Sequence, residues 1–163
     1  MSEIEGKEND MLNMNIDLYE QLTAEQVWEE VDPNYAINPN TITYRSVTSE
    51  HSVMISEYNL SEWCCEIESI EDFDLIGQGF GDTPENALGA AIVDCVGYDV
   101  LREEGNCEDA VNGIAREAYV FAYGETPMFM MDVKIVDWFK GLACEFVKKH
   151  GEHYDIEWEE YRW

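Results

Sequence analysis

Between Ser46 and Leu101 the chain has no lysine and no arginine. Over all 163 residues there are 9 basic side chains against 36 acidic ones, a formal net charge of −27. Surfaces that bind phosphate need cations, so nucleic acid and anionic membranes are repelled and neither is expected as a direct partner. No apolar run reaches the roughly 18 residues that would suggest a membrane-spanning helix. The start, Met1 to Asp10, lacks the basic lead and apolar middle of a secretory signal, so none is expected. The five cysteines, Cys64, Cys65, Cys95, Cys107 and Cys144, are odd in number and irregular in spacing. That argues against a regular disulfide framework and leads to the expectation of a reducing cytoplasm. There is no internal repeat, no CxxC or HExxH pairing, no GxSxG elbow and no Walker loop, and no enzyme activity is expected.

What is present is equally one-sided. Twelve carboxylates fall in the stretch without cations: Glu50, Glu57, Glu62, Glu66, Glu68, Glu71, Asp72, Asp74, Asp82, Glu85, Asp94 and Asp99. A net charge of about 2–8 is ample for the solubility of a small domain, and a larger one destabilises the compact state by self-repulsion. Disordered acidic chains have few aromatics, yet this chain is 45% hydrophobic and 12% aromatic. It therefore reads as an ordered body with an unusually charged skin. Salt adaptation also yields acidic proteins, but the seven Met, the five Cys and the many large aromatics fit it poorly.

The expected fold class is α+β: an antiparallel sheet of about four or five strands covered by helices, in a single layer-packed domain over residues 19–163. Residues 1–18 are polar and aperiodic and are expected to be a flexible N-terminal segment. Thr23 and Gln26 form a capping box for a short helix from Ala24 to about Val31, stapled by Leu22 and Val27 and ended by Pro33. Thr41–Thr48 and Ser52–Tyr58 read as strands of one hairpin. Ser61–Ile70 reads as a third strand, with Trp63, Cys65 and Ile67 on one face and Glu62, Cys64, Glu66 and Glu68 on the other. Phe73–Phe80 is a fourth, in which Gly77, Gly79 and Gly81 suggest a bulge or a close backbone approach. Thr83 and Pro84 are the N-cap and first residue of a helix rich in small apolar residues, for which Gly97 is a stop signal. A helix is expected from near Asn106 to Ala122. Another, from Met131 to His150, buries Ile135, Phe139, Leu142, Phe146 and Val147, carries Lys148 and Lys149 in its last turn, and has Gly151 as its C′ glycine. The alternation of Tyr154, Ile156 and Trp158 with Asp155, Glu157 and Glu159 is the pattern of a half-buried strand.

Site chemistry narrows quickly. Asp72–Gly77 begins like an EF-hand loop, but Ile76 and Thr83 stand where an oxygen ligand and a bidentate Glu are required. Cys144, His150 and His153 lie near one another in sequence, but Gly151 breaks the spacing between the histidines, and structural cysteines and surface histidines are the simpler reading. Gly77–Gly81 is glycine-rich ahead of a helix, yet it lacks the lysine of a phosphate loop and is ringed by acids. No metal or other cofactor is expected.

The stretch from Trp63 to Val96, two strands and then G-D-T-P-x-x-A-x-x-A-x on a helix, resembles the phage ABA-sandwich, or NinX-like, group of short phage-encoded proteins. Trp63, Gly79, Gly81, Asp82, Thr83, Pro84, Ala87 and Ala91 carry the resemblance. It implies an α/β layered fold and a phage or mobile-element origin, and no particular activity. In outline the same stretch is similar to a double-stranded RNA-binding domain, but Asp82–Glu85 invert the charge that such a domain presents to phosphates, which contradicts RNA binding. In charge and size the chain is similar to phage DNA-mimic proteins that block restriction or CRISPR machinery.

Alternate residues of a strand stand about 6.6–6.8 Å apart, of the order of the path between successive phosphates. The expected function is therefore acidic nucleic-acid mimicry: stoichiometric inhibition of a basic host nucleic-acid-binding or defence protein, in an anti-restriction or anti-CRISPR role. The expected partner-binding residues are Glu62, Glu66, Glu68, Glu71, Asp72, Asp74, Asp155, Glu157, Glu159 and Glu160, each accepting charge-assisted hydrogen bonds from Lys and Arg. The alternative is a self-associating phage structural or regulatory protein, a homo-oligomer held through Trp158, Tyr161 and Trp163.

Overall fold

Period-two alternation decides the sheet. The computed structural model describes residues 29–30, 43–47, 50–59 and 62–158. Three long strands form an antiparallel meander: β3 (His51–Asn59), β4 (Glu62–Ser69) and β5 (Leu75–Gly81). A shorter strand, β2 (Thr43–Val47), pairs with β3, and a two-residue strand, β1 (Glu29–Glu30), pairs with β2. The expectation of four or five strands is thus corrected to three that span the sheet, with two short additions at one side. Of the β-branched run expected as a strand, the described residues are Thr43–Val47, and all five pair with β3.

The expected flexible segment 1–18 lies outside the described residues, as does most of the helix expected over Ala24–Val31. Its described part is β1, with Glu29 opposite Arg45 and Glu30 opposite Tyr44. At Glu29 and Glu30 strand pairing stands where the sequence suggests the last turn of that helix, as tertiary context can override a weak propensity.

On β4, Trp63, Cys65 and Ile67 are buried, together with Val53 and Ile55 of β3. The first helix, α1 (Pro84–Glu103), begins as its residues require. The Thr83 hydroxyl accepts from the Asn86 N–H at 3.1 Å, and Pro84 occupies the first position. Its small residues lie close against β5. A Cβ at Gly79 would collide with the Ala91 nitrogen and stand 2.7 Å from the Ala87 oxygen. Gly79 and Gly81 therefore serve close approach of helix and strand. A register shift accompanies them: Ile67 faces Gly77 and Glu68 faces Leu75, leaving Ile76 as the extra residue.

The chain divides into two compact units, Met1–Ala91 and Ile92–Trp163, and α1 runs through the boundary. Gly97 does not stop α1, which corrects the sequence reading. The Phe146 ring occupies the space a side chain at Gly97 would need, with Cζ 2.6 Å from an added Cβ, so this glycine marks a packing site. Helix α2 (Cys107–Tyr123) is capped by Asn106, whose side-chain oxygen accepts from the Asp109 N–H at 2.9 Å. Helix α3 (Val133–His150) is capped by Asp132. It buries Ile135, Phe139, Ala143, Phe146 and Val147, whereas Leu142 is only half-buried.

Gly151 is not the left-handed residue expected. Its φ of −59° is right-handed, and it opens a 3-10 turn, Gly151–Tyr154. It is small because the Ile156 carbonyl passes 2.9 Å from where a Cβ would stand. Asp155, at φ 61°, makes the left-handed reversal instead. The strand expected from Tyr154 is therefore a turn and an irregular segment. Its alternation survives only as burial, with Ile156 inside and Asp155 and Glu157 outside.

Candidate acidic binding surface

Register sets what surrounds each carboxylate on β4. Glu62, Cys64, Glu66 and Glu68 face away from the buried side, as their parity requires. Across the sheet Glu66 stands between Met54 of β3 and Gln78 of β5, and Cys64 between Ser56 and Phe80. Glu68 lies opposite Ser52 and Leu75, and Glu62 opposite Asn59. Glu66 is half-buried, while Glu62 and Glu68 are exposed. The face is thus mixed, and the acids are interrupted by a thiol. Burial raises the Cys64 pKa, Glu66 and Glu62 raise it further, and the Gln78 amide, 3.9 Å from Sγ, offsets part of this.

The denser cluster is at the β4–β5 turn. Phe73, at φ 59°, lets the chain reverse. The Phe73 N–H donates to the Ser69 carbonyl at 2.8 Å, and the Ser69 N–H donates to the Asp74 carbonyl at 2.9 Å. The Ile70 N–H donates to the Glu50 carbonyl at 3.0 Å and ties the start of β3 to this turn. Glu50, Glu68, Glu71, Asp72 and Asp74 therefore gather at one end of the sheet, all exposed. Among the described residues of the first unit, Arg45 is the one Lys or Arg.

The structure brings together four of the ten residues expected from sequence: Glu68, Glu71, Asp72 and Asp74. Glu66 lies one step inward, and Glu62 lies at the other end of β4, toward Gly81 and Asp82. Asp155 and Glu157 are exposed in the second unit, off any strand, which corrects the ladder expected there. Glu159 and Glu160 lie outside the described residues.

Two features were missed. Glu50 joins the cluster only through the hairpin's return, which spacing along the chain does not show. The exposed apolar side chains beside the acids, Phe73 at 78%, Phe80 at 52% and Leu75 at 50%, read from sequence as strand residues with no surface role. Their interleaving with Asp72, Asp74 and Asp82 was the available signal.

Other chemistry has little to build on. The run that begins like an EF-hand enters β5 at Leu75 and so closes no ion-binding loop. Among the described residues no three His, Cys, Asp or Glu side chains gather as a metal site. Burial, with Asp94 nearby, pushes the Cys95 thiol up to about 12. Burial and the neighbouring Cys107 and Glu145 push Cys144 up to about 11, against a smaller opposing effect of Lys140. Both thiols are held protonated at neutral pH, which makes them poor nucleophiles and poor ligands. No described helix is long and apolar enough to cross a membrane. Comparison with known protein families, with curated proteins and with solved structures finds no match.

Proposed function

We propose that this protein is a folded anionic decoy, of phage or mobile-element origin, that binds the cationic face of a host nucleic-acid-binding or defence protein stoichiometrically. The observation that carries the reading is the exposed group Glu50, Glu68, Glu71, Asp72 and Asp74 on a stretch without Lys or Arg. Exposed carboxylates are acceptors for a partner's guanidinium and ammonium groups. Such a complex forms fast through steering and weakens steeply with salt. The test is capture from host lysate at low salt, elution by raised salt, and elution by added duplex DNA. Capture of a basic nucleic-acid-binding protein that both treatments release supports the decoy. Capture of none at low salt contradicts it.

A second reading, self-association as a structural or regulatory protein, draws on a different surface from the one expected. Trp158 is half-buried, and Tyr161 and Trp163 lie outside the described residues. The turn Met128–Met130 is the exposed apolar element of the second unit, with Phe129 at 88%. Light scattering across a concentration series separates the two readings.

A further inference from the structure

Helices α2 and α3 each carry a cysteine. Cys107 is the first residue of α2 and is buried; Cys144 lies in the second half of α3 and is half-buried. Both are thiols, unbridged in this structure. One hydrogen bond sets the register between the helices. The Asp132 N–H, at the start of α3, donates to the Tyr119 hydroxyl, in the last turns of α2, at 3.2 Å. From that tie Cys107 stands twelve residues back along α2, and Cys144 twelve residues forward along α3. Each run is about 18 Å of helix. Laid side by side and antiparallel, the helices bring the two cysteines level. Crossed at right angles, they would leave the cysteines about 25 Å apart.

Two observations favour the side-by-side arrangement. Both helices bury residues along their whole length, from Cys107 to Tyr119 in α2 and from Ile135 to Val147 in α3. Electrostatics agree. Burial is the main cause that raises the Cys144 pKa, and Cys107 comes next, ahead of the adjacent Glu145 and the opposing Lys140. A residue on another helix has that influence only from close by. Small side chains then let the backbones approach at this level. Ala110, one turn after Cys107, and Ala143, next to Cys144, are both fully buried. Packed helices stand about 8–10 Å apart, nearest where the contact residues are small, and a disulfide needs its Cα atoms about 4.4–6.8 Å apart.

We propose that Cys107 and Cys144 are an oxidisable pair, which a small-molecule disulfide such as oxidised glutathione converts into a bond clamping α2 to α3. Cys144 is the more accessible thiol and reacts first. Its sulfur, losing a proton, attacks oxidised glutathione, forms a mixed disulfide and expels one glutathione. The Cys107 sulfur, losing its proton, then attacks the Cys144 sulfur and expels the second. Two cysteine thiols are oxidised to one disulfide, one glutathione disulfide is reduced to two thiols, and the two protons pass to those thiols. The raised Cys144 pKa slows the first step at neutral pH, so the clamp answers sustained oxidation. The bond closes a loop that includes the exposed Met128–Met130 turn. Both cysteines belong to the second unit, and the proposal does not depend on the decoy reading of the first.

The test incubates the full chain with oxidised glutathione at pH 8, alkylates the remaining thiols, and maps disulfides by proteolysis and mass spectrometry. The expected result is a loss of two hydrogens per chain and a linked peptide pair carrying Cys107 and Cys144, both reversed by dithiothreitol. The thermal midpoint should rise by roughly 5–15 °C on oxidation. Cys95→Ser keeps the link and the rise, and Cys144→Ser loses both; where that variant fails to fold, the map of the unaltered chain still decides. A glutathione adduct that stays on Cys144 without the link overturns the proposal, as does Cys107 or Cys144 bridged to a different cysteine, or both thiols still alkylated after oxidation. A mapped bond that leaves the midpoint unchanged or lower overturns the clamp.

Discussion

The two units handle their charge differently. Met1–Ala91 has 2 Lys or Arg and 20 Asp or Glu; Ile92–Trp163 has 7 and 16. In the second unit cations stand beside acids in the same helices: Arg102 pairs with Asp99, and Arg116 with Glu117 at 3.4 Å. Lys148 and Lys149 sit in the last turn of α3, where the helix dipole favours them. The first unit has no such arrangement between Ser46 and Ala91. Exposed ion pairs contribute little to stability, so the contrast bears on what each surface attracts more than on how firmly each unit folds. The cations of the second unit offset part of its charge, leaving a formal −9, whereas the first keeps −18.

The packing of the two units differs as well, and substitutions can break that contrast. The largest effect is expected from Phe139→Ala, which removes a fully buried ring from α3 and should cost about 3–5 kcal/mol in denaturant unfolding. Gly79→Ala comes next. Its methyl would meet α1 backbone, which has nowhere to move, so a loss of about 3 kcal/mol is expected. Gly97→Ala would instead meet the Phe146 ring, a side chain that can tilt, for about 1–2 kcal/mol. Equal losses at the two glycines would remove the distinction between strand–helix and helix–helix packing. Asn106→Ala deletes the α2 cap and should cost about 1 kcal/mol, with little change in partner binding.

A smaller effect sharpens the comparison through pH. His150, at the end of α3, lies against the Phe146 and Tyr98 rings at centroid distances of 4.6 and 5.3 Å. Burial lowers its pKa, helped by Lys149 and His153 and opposed by Asp94. The unfolded chain therefore takes up this proton near pH 6.5, before the folded one does. Stability from this group is full above that pH and declines as pH falls below it. Unfolding followed from pH 8 to 5 should show this decline, and His150→Phe should flatten it.

Particular residues explain what was legible in the sequence. β4 could be read because Trp63, Cys65 and Ile67 alternate with polar residues, and one buried face fixes that parity. The start of α1 could be read because Thr83 and Pro84 act within one turn. Gly97 could not, since a glycine that ends a helix and one that admits Phe146 look alike until the partner ring is known. The segment after Tyr154 could not either, because burial alternates there without strand pairing. For the acidic surface, parity placed Glu62, Glu66 and Glu68 outward. Cross-strand neighbours and the arrival of Glu50 depend on hairpin register, which spacing alone does not give.

The central claim is that the anions of the first unit are patterned and those of the second are a coat. Two variants test it, each with five exposed carboxylates made neutral amides: one at Glu50, Glu68, Glu71, Asp72 and Asp74, the other at Glu103, Glu108, Glu125, Glu145 and Glu152. Both shift the net charge equally. Low-salt capture of a basic nucleic-acid-binding protein should be lost in the first variant and kept in the second. Equal loss in both, or loss in the second alone, would contradict the account.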